Sequence, residues 1–118
     1  MRNWGRGEFL VGDDDLPDVL AARTRLRSRF TRQMSALGVR LEAIGQPAVA
    51  ALIYQRVVEQ QPLAEDIYRR LITCLLALEQ RGEAYEGYRR CRQQLSVLLG
   101  ITPSTETDAL VASLRNCS

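Results

Sequence analysis

Apolar residues recur along most of this chain at three- and four-residue steps, the period of a helix with one buried stripe. The first such run opens at Pro17 and carries Val19, Leu20, Leu26, Phe30, Met34, Leu37, Leu41 and Ile44 as far as Gly45. Proline presets φ for a first helical turn, Asp18 suits the positive helix end, and glycine suits a stop. The pattern predicts one long helix there, or two broken near Gly38. A second run opens at Pro47, shows Val49, Leu52, Ile53, Val57 and Val58 on a broad face, and stops before Pro62. A third, from about Ala64 to Gln80, keeps the spacing at Ile67, Leu71, Ile72, Leu75 and Leu78. Arg81-Gly82 then reads as a short connection between antiparallel helices, with a fourth helix from Glu83 to Leu99. Gly100 suits the left-handed residue that closes such a helix, and Thr102-Pro103-Ser104 offers a cap and a first-turn proline for a short last helix through Leu110, Val111 and Leu114. No segment alternates as a half-buried strand does, so the expected fold class is all-α. Before Pro17, Gly5, Gly7, Gly12 and the Asp13-Asp14-Asp15 run interrupt the packing groups Trp4, Phe9, Leu10 and Val11. This predicts an irregular leader over residues 1–16, docking by its aromatics, ahead of a helical domain over residues 17–118.

The helices repeat. Sliding the chain along itself until Leu37 meets Leu71 also pairs Leu41 with Leu75, Ala50 with Ala84, Tyr54 with Tyr88 and Val57 with Cys91. Large groups meet large groups and small meet small, at the roughly 34-residue period of tetratricopeptide hairpins. The two alanines would let the helices of each hairpin approach closely, and the two tyrosines would fill the space between hairpins. The same offset also sets Gly38 against Ile72, Gly45 against Glu79 and Pro62 against Ser96, so the second unit lacks the small residues of the first. The expectation is about two tetratricopeptide-like hairpins with a C-terminal capping helix.

Composition narrows the function classes. With 118 residues, 46% hydrophobic and 25% charged, the chain suits one globular core rather than a disordered tail. All 16 basic residues are arginine, yet acidic residues lie among them and the net charge is only +2, so the electrostatic footprint of a dedicated nucleic-acid binder is missing. No apolar run approaches the roughly 20 residues that span a bilayer, and no signal peptide opens the chain, so a cytoplasmic protein without membrane contact is expected. Three cysteines, Cys74, Cys91 and Cys117, lack CxxC spacing and histidine is absent, which argues against a disulfide framework, a zinc site or any cofactor. Catalysis would need a nucleophile or acid-base pair, and nothing nominates one. An enzyme is therefore not expected.

A longer resemblance covers nearly the whole chain. Gly7-Glu8-Phe9-Leu10, Gly12-Asp13-Asp14, Tyr54-Gln55-Arg56-Val57-Val58, Pro62-Leu63 and Tyr85-Glu86-Gly87-Tyr88-Arg89-Arg90-Cys91-Arg92 contribute to it, and the most specific stretch is Leu99-Gly100-Ile101-Thr102-Pro103-Ser104-Thr105-Glu106-Thr107. Together they resemble the bacterial transcriptional activator domain. That resemblance implies a fragment or module of a transcriptional regulator, with DNA contact made by another domain of a longer parent. It implies partners that are proteins: neighbouring domains of the parent, a second copy, or the transcription machinery.

In a helical repeat the functional surface is most often the groove lined by the first helix of each hairpin. By repeat position its outward residues are Arg32, Ser35, Val39 and Glu42, then Asp66, Arg69, Thr73 and Leu76. Their mixture of charge and modest apolar surface suits an extended or helical peptide, unless the leader or the last helix fills the groove. Arg23, Arg25, Arg27, Arg29 and Arg32 form the alternative, a phosphate-binding face, although spacing by two spreads them around the helix. A sensor for a small ligand is a third reading and would need an apolar pocket with converging polar groups. Asp13-Asp14-Asp15 lacks the ordered ligands of a calcium loop and reads as helix entry, Arg89, Arg90 and Arg92 read as partners of Glu83 or Glu86, and Cys74 and Cys91 read as buried small groups.

Overall fold

A computed structural model of the chain describes residues 16–116, and the expected leader, with Trp4, Phe9 and the three aspartates, lies before them, as Cys117 lies after. Five helices follow one another: α1 (Leu16–Ala43), α2 (Pro47–Gln60), α3 (Glu65–Ala77), α4 (Arg81–Leu99) and α5 (Thr105–Asn116). Among the described residues there is no strand. The chain divides into two units, Met1–Phe30 and Thr31–Ser118, and α1 runs through the boundary.

The second unit is built from the repeat. α2 and α4 begin at Pro47 and Arg81, one full repeat apart, and Pro47 occupies the first turn of its helix as expected. The turns that precede them are copies of each other. Ile44, Gly45 and Gln46 amides donate to the carbonyls of Arg40, Glu42 and Leu41, and Leu78, Glu79 and Gln80 donate to those of Cys74, Leu76 and Leu75. Each turn needs one left-handed residue, Gly45 at φ 80° and Glu79 at φ 60°. The backbone therefore keeps the period where the side chain departs from it.

Helices α2 with α3, α3 with α4, and α5 with both α3 and α4 pack around a core of Ala50, Tyr54, Val57, Val58, Tyr68, Leu71, Ile72, Leu75, Ala84, Tyr88, Cys91, Leu95 and Val111. Ala50 and Ala84 are wholly buried, in keeping with close helix approach. Met34 and Leu41 of α1 pack against this core. Burying rings the size of Tyr54 and Tyr68 makes them the costliest to truncate, at about 3–5 kcal/mol for such a change to alanine.

Of the two readings of the first run, the one long helix is the one formed: Gly38 does not break α1 and is buried in mid-helix because the Tyr54 ring lies against it. Three expectations are corrected. Arg81 and Gly82 are not the connection but the first turn of α4, the connection being Leu78–Gln80. Pro103 lies two residues before α5 rather than in its first turn, and Ser104 is the capping residue. Val49 and Leu52 are exposed at 41% and 62%, since the face of α2 that packs is narrower than its apolar pattern and centres on Ala50, Ala51, Tyr54 and Val57. Gly100 closes α4 in the left-handed region, at φ 66°, as expected.

Candidate functional site

Within the second unit, α3 and α5 lie side by side and the end of α1 adds Glu42, so that three first-of-hairpin positions share one open depression of about 620 Å³. Glu42, Asp66, Arg69, Arg70, Thr73, Glu106, Ala109 and Leu110 line it. Of the eight residues expected at the groove, Glu42, Asp66, Arg69 and Thr73 are brought together here. Arg32 and Val39 are exposed elsewhere on α1, Ser35 is half-buried, and Leu76 is drawn against the core. Those four do not line the depression.

The charges of the wall are unequally committed. Arg69 reaches Glu65 at 3.6 Å, Ser104 Oγ at 3.5 Å and Thr107 Oγ1 at 3.4 Å. Arg70 reaches Glu42 at 3.4 Å. Glu42 also accepts the hydroxyl of buried Tyr54, and burial first, then the Glu42 carboxylate, hold that hydroxyl above the usual tyrosine range. Thr73 donates its hydroxyl to the Arg69 carbonyl at 2.8 Å. Asp66 and Glu106 stand in the first turns of α3 and α5, where helix ends favour carboxylates, and both are exposed. With both guanidinium groups already facing carboxylates, the wall offers an acceptor surface beside the apolar Ala109 and Leu110.

Sequence reasoning missed the anchor that forms the depression. Glu65 Oε2 accepts from the Ser104 amide and hydroxyl, both at 2.7 Å, and from the Thr107 hydroxyl. Ser104 Oγ in turn accepts from the Thr107 amide at 3.5 Å, as a helix cap does. Burial raises the Glu65 pKa, but the bonds from Thr107 and Ser104 and the charge of Arg69 outweigh it and hold the carboxyl below its ordinary range. The signal was present as Ser104 and Thr107 at cap spacing after Pro103, with a carboxylate at the first residue of α3. Only the fold shows that the two belong together.

Other candidate chemistry is accounted for by packing. Cys74 and Cys91 are buried free thiols. Burial, then Glu42, pushes Cys74 up to about 11, and burial, then Glu65, pushes Cys91 up to about 12, so neither is a thiolate nucleophile near neutral pH. Arg89 pairs with Glu86 at 3.4 Å, one of the two partners expected. Among the described residues no helix is long and apolar enough to cross a membrane.

Comparison with known proteins agrees with this architecture. A family described as bacterial transcriptional activator domain matches residues 1–115. No curated protein and no solved structure matches the chain.

Proposed function

The chain belongs to the bacterial transcriptional activator domain family, and from that premise we propose that it is a non-catalytic protein-interaction module of a cytoplasmic transcriptional regulator. Its task is to hold a peptide segment of another domain or protein in the depression between α3 and α5. The observation that carries this reading is the shared wall: α3 and α5, with Glu42 of α1, leave an open surface whose arginines already face carboxylates. The segment that fits combines an apolar anchor for Ala109 and Leu110 with a basic group for Asp66 and Glu106. Neighbouring domains of the parent regulator, a second copy and the transcription machinery are the partner classes. DNA recognition falls to another part of that parent.

A photoreactive amino acid placed at exposed Thr73 tests this in cells that produce the parent regulator. Crosslinks should form from position 73, should be lost when Asp66 and Glu106 are changed to arginine, and should not form from exposed Arg56 on α2. Equal crosslinking from positions 73 and 56 would remove the groove from the case. Binding of the isolated chain to duplex DNA that weakens steeply with salt would favour the arginines of α1 instead.

A further inference from the structure

We propose that the arginine-bearing side of α1 in one copy of this chain seats in the depression between α3 and α5 of a second copy, an inference that rests on reading the depression as a binding surface. On α1, Arg23, Leu26, Arg27 and Phe30 stand three and four residues apart and so form one patch on the helix. All four are exposed, Leu26 at 66% and Phe30 at 44%. Two large apolar groups flanked by two cations make a face that neither water nor a purely apolar surface suits.

The arginines decide which surface this patch meets. Set against the same side of another α1, it would bring guanidinium groups against guanidinium groups, and like charges at close range oppose that pairing. The depression has the complementary order. Arg69 and Arg70 already face Glu65 and Glu42, which leaves Asp66 and Glu106 as exposed carboxylates with no ion pair among the described residues. Both stand in the first turns of their helices, and the bonds from Ser104 and Thr107 to Glu65 tie those two beginnings together. The acidic groups therefore share one end of the depression, and Thr73, Ala109 and Leu110 lie farther along the same helices.

The lengths agree too. Arg23 to Phe30 and Asp66 to Thr73 are equal stretches of helix, each about 10 Å at ~1.5 Å per residue. With Arg23 level with Asp66, Phe30 comes level with Thr73. Side chains on a helix lean toward its N-terminus, so Arg27 reaches back to the acidic end as well. Each guanidinium group then meets a carboxylate, while Leu26 and Phe30 meet Ala109 and Leu110. Each copy carries both surfaces, so two copies exchange them about a twofold axis.

Sedimentation of the full chain across a concentration range should show a reversible dimer. Asp66→Arg with Glu106→Arg should weaken it by about tenfold or more, and so should Leu26→Asp. The helical circular dichroism of both variants should persist, because all three positions are exposed. Neither variant pairs well with itself, but an equal mixture should recover association, since one retains the patch and the other the depression. A photoreactive amino acid at Thr73 should attach to residues 23–30 of the second copy. A monomer at every concentration overturns the proposal, as does a dimer that survives either set of substitutions or a mixture that does not recover. Crosslinks from position 73 to other proteins, with the chain itself a monomer, overturn it while leaving the binding role of the depression intact. Absence of any crosslink from position 73 removes both.

Discussion

One missing methyl group decides how the two tyrosines of the repeat are used. Tyr54 and Tyr88 occupy equivalent positions in successive repeats and both are buried, but they turn to opposite neighbours. Tyr54 donates to Glu42 on the preceding helix, whereas Tyr88 donates to Asp108 on the following one, at 2.7 Å. The cause lies at Gly38 and Glu42. A Cβ at Gly38 would stand 2.5 Å from Tyr54 Cε1, so only glycine leaves room for the ring. In the second hairpin Ile72 stands in that place and Leu76 replaces the carboxylate, leaving Tyr88 to find its acceptor on α5. Gly38→Ala should therefore lower stability by about 1–3 kcal/mol, as overpacking does, although alanine is the better helix former by about 1 kcal/mol. Urea unfolding measures it, and a rise in stability would mean that the ring can move aside.

At the scale of the elements, the chain repeats its backbone more faithfully than its side chains. Glu79 adopts the left-handed conformation that Gly45 adopts one repeat earlier, with the same pattern of amide bonds around it. A residue with a Cβ in that region costs roughly 1–2 kcal/mol, offset in part by the greater freedom glycine has in the unfolded chain. Glu79→Gly should raise the urea midpoint by the equivalent of about 1 kcal/mol, and an unchanged or lowered midpoint would show that the turn carries no strain. The helices were legible in the sequence because each apolar stripe is long and regular, and the pairing of Ala50 with Ala84 and Tyr54 with Tyr88 made the hairpins legible too. What was not legible has a common cause. Gly38 and Glu79 look like departures when compared only with their repeat partners, and the wall residues Glu106, Ala109 and Leu110 went unforeseen because they stand on α5, where the period itself changes. The step from Glu65, which opens α3, to Thr105, which opens α5, is longer than one repeat, since α4 has 19 residues where α2 has 14. A wall partly made by α5 could not be placed by the offset that superposes the hairpins.

For the molecule acting as a whole, the question is what keeps α5 docked, because three of the eight residues of the proposed binding wall stand on it. Apolar burial contributes Val111, with Leu110 and Leu114 beside the core. The specific attachment is the Glu65 carboxylate, which holds the cap of α5 by two groups of Ser104 and one of Thr107. Its pKa is depressed in the folded chain below the ordinary 4.5. The sign follows from linkage: a carboxylate held lower when folded adds stability that is fully present above its unfolded pKa and is lost as pH falls through the folded value. Glu65→Gln keeps one acceptor but removes the charge. The variant should be less stable than the parent chain near pH 7, and the gap should close as pH falls below about 4.5. Urea midpoints of both proteins across pH 3–7 give the comparison directly. A gap that stays constant with pH would mean that the Glu65 charge contributes nothing and that α5 is held by packing and by the bond from Tyr88 to Asp108. In that event Arg69, paired with Glu65 here, would be available to a partner, and the groove would present a cation where the present geometry presents carboxylates.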